Sequence, residues 1–169
     1  MRSRRTCLIV LGAVALVVIL LDRLTKAWAV DVMLPRMQSG DGPIDVIGSL
    51  VRLTYTENTG AAFSLGTGYT WVFSIIAVVV AVVILRTSRK LGSVGWSVAF
   101  GGLLGGLLGN LIDRLTRPPG VGMGSVVDFI AFPNFPVFNV ADMAIVGSAI
   151  LMVILSLRGI DVKGRVVTA

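Results

Sequence analysis

The chain has 169 residues, of which 55% are hydrophobic and 14% are charged, and its mean hydropathy is +0.90. This composition excludes an ordinary soluble domain and indicates an integral membrane protein. The lack of histidine and the single cysteine exclude a Ser-His-Asp triad, a disulfide framework and a zinc site. The net charge of +6 does not predict a nucleic-acid partner, because the basic residues flank apolar runs.

Four apolar stretches approach or exceed the roughly 20 residues that a transmembrane helix needs. They cover about residues 7–30, 70–85, 94–115 and 137–157. The first also resembles a cleavable secretory signal, because RSRR precedes it and AWAV ends it. Charged residues interrupt the apolar run before AWAV, which favours a retained span. We therefore predict one domain over residues 1–169, an all-α membrane protein built as a four-transmembrane-helix bundle with a small β subdomain.

Basic residues are concentrated in the two terminal segments and in the connection between the second and third stretches. By the positive-inside rule these segments face the cytoplasm, so both termini are predicted to be cytoplasmic. Residues 31–69 and 116–136 are then predicted to face outward. The basic residues are Arg2, Arg4, Arg5, Arg86, Arg89, Lys90, Arg158, Lys163 and Arg165.

The outer-face subdomain, about residues 31–69, is rich in Gly, Pro and Asp, which mark turns. Within it, Val51, Leu53 and Tyr55 alternate with polar residues, a period of two that predicts a strand in a small sheet. Asn58 follows this strand in TENTGAAFS, where it fits a turn position.

The third apolar stretch carries glycines at every fourth position in two rows. Small residues on one helix face let a neighbouring backbone approach closely, so we predict tight helix packing here. The loop TRPPGVGMGS follows this stretch. The glycines are Gly101, Gly105 and Gly109 in one row and Gly102 and Gly106 in the other.

Ionisable residues within membrane spans cost roughly 2.5–3.5 kcal/mol each, so each requires a partner or a function. Asp22 and Lys26 are four residues apart, a spacing that predicts a local ion pair. Asn110 and Asp113 share a helix face, and the adjacent Arg114 is expected to compensate the carboxylate. A structural hydrogen-bond cluster is sufficient to explain these residues.

Asn139 and Asp142 repeat the same spacing at the start of the fourth stretch, without a nearby cation. Asp128 also lacks one, in the apolar segment SVVDFIAF. Helix capping by Asp128 or Asp142 is the structural alternative. The predicted topology places both at the depth of Asp22 and Asp113, near the outer face.

Two carboxylates at low dielectric cannot both ionise easily, so they share a proton. One can then take a proton from an attacking water while the other donates to the developing oxyanion. A dyad of Asp128 and Asp142 is therefore the simplest hydrolase that this residue inventory permits.

Three alternatives remain at this point. Intramembrane carboxylates also form proton relays in carriers, although carriers often have repeated halves that this chain lacks. A Ser-Lys hydrolase could use Ser64 or Ser125 with Lys26. A structural membrane subunit would leave Asp128 and Asp142 unexplained.

Five fragments occur in order along the chain: DRLTK, NTGAAFS, GNLIDR, VVDF and FPVFNVAD. Together they resemble the lipoprotein signal peptidase (signal peptidase II) family of bacteria over nearly the whole chain. The loop TRPPGVGMGS is longer than in many members, and Ser125 stands where a larger residue is common.

The resemblance implies an intramembrane aspartyl endopeptidase, without cofactor or metal, whose catalytic pair is Asp128 and Asp142. Such an enzyme removes the signal peptide of diacylglyceryl prolipoproteins just before the lipidated cysteine, and globomycin inhibits it. The resemblance also implies an outer-face β-cradle near the outer leaflet, contacts with membrane lipids and, we expect, a monomer. Its supporting residues correspond to Asp22, Lys26, Asn58, Gly109, Asn110, Asp113, Arg114, Phe138, Asn139 and Ala141.

An apolar groove between helices is expected to bind the lipid of the substrate. Phe63, Phe129 and Phe138 are candidates for lining it, although core packing is the alternative role for each.

Overall fold

The computed structural model describes residues 2–60 and 70–166. Within these ranges, four helical segments are long and apolar enough to cross a membrane, as predicted. They confirm the all-α membrane fold with a small β subdomain. The α-helices are α1 (Arg4–Trp28), α2 (Leu34–Ser39), α3 (Thr70–Thr87), α4 (Val94–Thr116) and α5 (Val140–Leu157).

The first helical segment is longer than the sequence predicted. It continues past residue 30, because a π-helical turn, Ala29–Met33, connects α1 directly to α2. Pro35 lies in the first turn of α2, where a missing backbone N–H is tolerated. Gly40, with a φ of 87°, ends the segment in the left-handed conformation that glycine adopts readily.

Three antiparallel strands form the sheet in the order β1 (Ile44–Ile47), β2 (Val51–Asn58) and β3 (Val126–Ala131). The strand predicted from the alternation after residue 51 is confirmed as β2. The sheet is not confined to residues 31–69, however, because β3 comes from the SVVDFIAF segment. In the β2–β3 register Asn58 lies opposite Val126, two residues before Asp128.

Helix α4 packs between α1 and α5 by means of its glycines. A Cβ at Gly101 would lie 2.6 Å from the carbonyl oxygen of Leu11, and one at Gly106 would lie 2.5 Å from that of Ala141. The predicted close packing is confirmed, with one face of α4 on each neighbour. A buried apolar cluster joins α1, α3 and α4: Cys7, Leu11, Ala15, Ala81, Ile84, Leu91, Phe100 and Leu104.

Candidate active site

Lys26 is at the centre of a buried ion network at the end of the bundle that contacts the sheet, here called the sheet end. Its Nζ lies 2.8 Å from Asp22 Oδ2 and 2.9 Å from Asp113 Oδ2, and all three side chains are buried. The ammonium group also donates to Asn110 Oδ1 at 2.8 Å. The predicted Asp22–Lys26 pair therefore exists. The contacts of Lys26 with Asp113 and Asn110 also join α1 to α4. Buried ions require such full pairing, because isolated charges are costly away from water.

The sequence predicted Arg114 as the cation beside Asp113, but other arginines lie there. Asp113 Oδ1 lies 2.6 Å from Arg23 Nη1 and 3.6 Å from Arg117 Nε. Arg114 instead donates from Nη2 to the carbonyl oxygen of Gly60 at 3.3 Å. Adjacent residues of a helix do not face each other, whereas residues four apart do. The guanidinium of Arg114 is thus directed away from the ion network.

Asn139, not an aspartate, is the N-cap of α5. Its Oδ1 accepts from the backbone N–H of Asp142 at 3.0 Å, and its own N–H donates to Asp142 Oδ2 at 3.2 Å. This reciprocal pair is a capping box. The other oxygen of Asp142, Oδ1, accepts from Asn110 Nδ2 at 2.8 Å. Capping therefore accounts for only part of the environment of Asp142.

Asp128 is a strand residue, so the capping interpretation is wrong for it. Its side chain is 2% exposed, and both oxygens accept amide N–H groups. Asn139 Nδ2 donates to Oδ1 at 2.6 Å, and Asn58 Nδ2 donates to Oδ2 at 2.9 Å. Burial, with a further contribution from the charge of Asp142, raises the pKa of Asp128 to about 7. Near neutral pH this carboxyl can therefore hold a proton.

Asp128 and Asp142 line the same cavity, which has a volume of about 630 Å³. Asn139 connects them, because it binds Asp128 through its side chain and Asp142 through the capping box. Phe73 lies beside Arg114, with the guanidinium carbon 5.7 Å from the ring centroid. The other lining residues are Asn58, Gly60, Asn110, Val126, Phe135, Pro136, Val137, Phe138, Met143, Val146, Gly147 and Ile150.

Gly109 and Ala141 are small where three helices meet. Asp22 Oδ1 accepts from the backbone N–H of Ala141 at 3.0 Å, so α1 is bound to the start of α5. A Cβ at Gly109 would lie 2.7 Å from Asp22 Oδ2 and 3.3 Å from the Cβ of Ala141. Any larger residue here would push the ion network away from α5.

The three phenylalanines considered for the groove have different positions. Phe138 lines the cavity and stacks on Phe132 with ring centroids 5.6 Å apart. Phe129 is buried and packs edge-to-face on Trp28, so of its two predicted roles it has core packing. Phe63 lies outside the described residues.

Ser125 does not pair with Lys26 as a Ser-Lys hydrolase would require. Its hydroxyl donates to Glu57 Oε2 at 2.9 Å, while Lys26 is held by two carboxylates and an amide. Ser64 lies outside the described residues. Sequence reasoning missed Glu57 and Arg23, although an unpaired Arg23 next to Asp22 in an apolar span was a usable signal.

A family model described as signal peptidase (SPase) II matches residues 14–158. The chain belongs to the signal peptidase II family. It is 48% identical to the lipoprotein signal peptidase of Mycobacterium tuberculosis over 149 residues, which is 88% of this chain and 71% of that protein. It is 50% identical to that of Streptomyces coelicolor over 157 residues, 93% of this chain and 74% of that protein.

Solved structures of bacterial membrane enzymes share this fold. A bacterial membrane enzyme has a TM-score of 0.73 with 28% sequence identity and covers 87% of both chains. A second has a TM-score of 0.72 and 28% identity, covering 86% of this chain and 91% of its own. The resemblance predicted from the five sequence fragments is confirmed. As a signal peptidase II member, the chain is a multi-pass peptidase of the bacterial inner membrane.

Proposed function

We propose that this chain removes the signal peptide from diacylglyceryl-modified prolipoproteins by aspartyl catalysis, cutting just before the lipid-bearing cysteine. The observation that carries the proposal is the convergence of Asp128 and Asp142 on one cavity, where Asn139 binds both. Family membership and relatives named lipoprotein signal peptidases support the substrate class.

In the proposed mechanism, Asp128 holds the proton of the pair, because its pKa is raised to about 7. Asp142 takes a proton from a water that attacks the carbonyl carbon of the scissile peptide. Asp128 then donates its proton to the oxyanion as the tetrahedral intermediate forms. As the intermediate collapses, Asp128 takes back a proton from one hydroxyl while the C=O bond re-forms. The C–N bond breaks, and the leaving amine takes up the proton held by Asp142, which restores the starting protonation of the pair.

Fixed hydrogen bonds hold the side chains of the two acids in place. Asn110 and Asn139 donate to Asp142 and Asp128 respectively, so each carboxyl is oriented before substrate binds. Preorganised dipoles of this kind lower the cost of rearrangement during the reaction. The ion network of Lys26 holds Asn110 in turn, since Nζ donates to its Oδ1.

The walls of the cavity support an apolar substrate. Met143, Val146 and Ile150 extend from Asp142 along one face of α5, over about two helical turns. We propose that the acids lie near the outer leaflet and that both termini are cytoplasmic, following the positive-inside rule. A signal helix and diacylglyceryl chains then reach the acids from within the bilayer. We further propose that the enzyme acts as a monomer and that globomycin competes for this cavity.

The test uses Asp128→Asn and Asp142→Asn, each reconstituted into vesicles with a diacylglyceryl prolipoprotein. General acid–base catalysis contributes about 10²- to 10⁴-fold, so turnover by either variant should fall by at least that range. Asp161→Asn, an acid paired with Arg165 outside the cavity, is the matched control. Mass spectrometry of the products locates the cut. Undiminished turnover by either dyad variant would refute the mechanism.

A further inference from the structure

The loop between α4 and β3 presents apolar side chains outward. Val121 and Met123 are exposed, whereas Gly122 and Gly124 between and after them are buried. A Cβ at Gly124 would lie 2.5 Å from the carbonyl oxygen of Arg117, so only glycine allows this approach. The glycines thus press the loop against the end of α4, and Val121 and Met123, here called the loop tip, point away from the protein.

The loop tip has a defined position because the loop is bonded to two helices. The backbone N–H groups of Gly122 and Gly124 both donate to the carbonyl oxygen of Arg114 at 2.9 Å. From α3, the buried hydroxyl of Ser74 donates to the carbonyl oxygen of Gly122 at 2.7 Å.

Val121 is poorly suited to a tip in water. Its side chain is 90% exposed, and its φ of 45° lies in the left-handed region, which is rare for β-branched residues. Glycine, asparagine or aspartate would fit this conformation without exposing apolar surface. Met123 adds a second exposed apolar side chain next to it.

The loop tip borders an apolar groove between α3 and α4. The groove has a volume of about 330 Å³, and Val121 and Gly122 lie at its rim. Trp71, half-exposed on α3, lines the same groove, and tryptophan favours the membrane–water interface. The groove is continuous with the apolar outer faces of two helices that are long enough to span a membrane. The remaining lining residues are Ser74, Ile75, Val78, Val79, Leu111 and Leu115.

We propose that the loop tip is a membrane anchor that inserts into the bilayer interface and covers a lipid acyl chain in the α3–α4 groove. A lipid is the occupant that this surface fits, because the groove opens on the spanning faces of α3 and α4. The loop leads directly into β3, so the anchor also sets the depth of Asp128 relative to the bilayer. This proposal concerns the membrane and does not rest on the proposed peptidase mechanism.

The test is a depth measurement that needs no turnover. Val121→Cys and Met123→Cys are made in a Cys7→Ala background, spin-labelled and reconstituted into phosphatidylethanolamine–phosphatidylglycerol vesicles. Collision with oxygen, which enters the bilayer, is compared with collision with a water-soluble nickel chelate. Ile76→Cys, exposed on α3 outside the groove, is the lipid reference, and Asp41→Cys in the exposed turn after α2 is the aqueous reference.

We expect oxygen-to-nickel ratios at both loop positions severalfold above that of Asp41 and close to that of Ile76. Ratios equal to the aqueous reference at both positions would overturn the proposal. A second measurement leaves the loop unmodified. Brominated lipids should quench the tryptophan fluorescence of the native protein more than that of Trp71→Phe. Equal quenching of the two proteins would show that no lipid lies beside Trp71 in the groove, and would also overturn the proposal.

Discussion

Replacing Asp128 by asparagine removes a titrating group while keeping the shape of the side chain. The carboxyl is buried on β3, and its pKa is raised from 3.8 to about 7, chiefly by burial. The folded state therefore keeps a proton, between these two values, that the unfolded state releases. Because the folded state binds more protons there, the free energy of unfolding falls as pH rises. This contribution is complete below the unfolded pKa and is lost as pH rises through 7.

The magnitude follows from the size of the shift. Roughly three pKa units at about 1.4 kcal/mol each give a loss of roughly 4 kcal/mol between pH 4 and pH 8. The asparagine variant lacks this titration. Its new amide faces the N–H groups of Asn58 and Asn139. This mismatch should lower the free energy of unfolding by about 1–3 kcal/mol at every pH. The pH-dependent difference between the two proteins therefore isolates the buried carboxyl.

Chemical denaturation in detergent, followed by tryptophan fluorescence from pH 4 to pH 8, measures this difference. The native protein should lose roughly 4 kcal/mol relative to Asp128→Asn over this interval. Asp45→Asn, at an exposed position of the same sheet, should give a curve parallel to that of the native protein. If Asp128→Asn is also parallel to the native protein, Asp128 is not held as a buried neutral acid, and its part in the proposed mechanism fails.

Two further changes test the ion network. Lys26→Met should lower the free energy of unfolding by about 3–5 kcal/mol, because Asp22 and Asp113 lose a buried partner. In a denaturation series, adding Asp22→Asn to Lys26→Met should recover part of this loss. If the effects of the two substitutions simply add, Asp22 and Lys26 are not coupled. Gly109→Ala should cost about 1–3 kcal/mol and reduce turnover, since its Cβ would lie 2.7 Å from Asp22 Oδ2. Gly12→Ala, whose Cβ meets no atom within 4 Å in the described part of the chain, should lower neither value, because alanine stabilises a helix interior relative to glycine.

Helix termini show how far local patterns reach. The start of the third span, at residue 94, was predicted from the apolar run, and Ser93 is the N-cap of α4. The continuation of the first helical segment past residue 30 was not predicted, because the Gly, Pro and Asp residues of 31–69 are typical of turns. The helix continues through Asp31 and Pro35. The π-helical turn contacts β2 and β3, and Ala29 and Met33 in it are buried. Packing of this kind overrides weak local preferences.

Charge partners show the same limit. The pair of Asp22 and Lys26 was predictable, because a spacing of four residues brings two side chains together on any helix. The pairing of Asp113 with Arg23 was not, since these residues are 90 positions apart. Only the close packing of α1 on α4 brings them together.

Hydropathy, basic flanks and strand alternation are local properties, so the amino-acid order alone was enough to establish a four-span membrane protein with a short strand beside it. The same order identified Asp128 and Asp142 as costly residues without neighbouring cations. Their meeting in one cavity depended on the antiparallel pairing of β3 with β2 and on the capping of α5 by Asn139. Such long-range contacts depend on how the helices and strands pack, which no short stretch of sequence encodes.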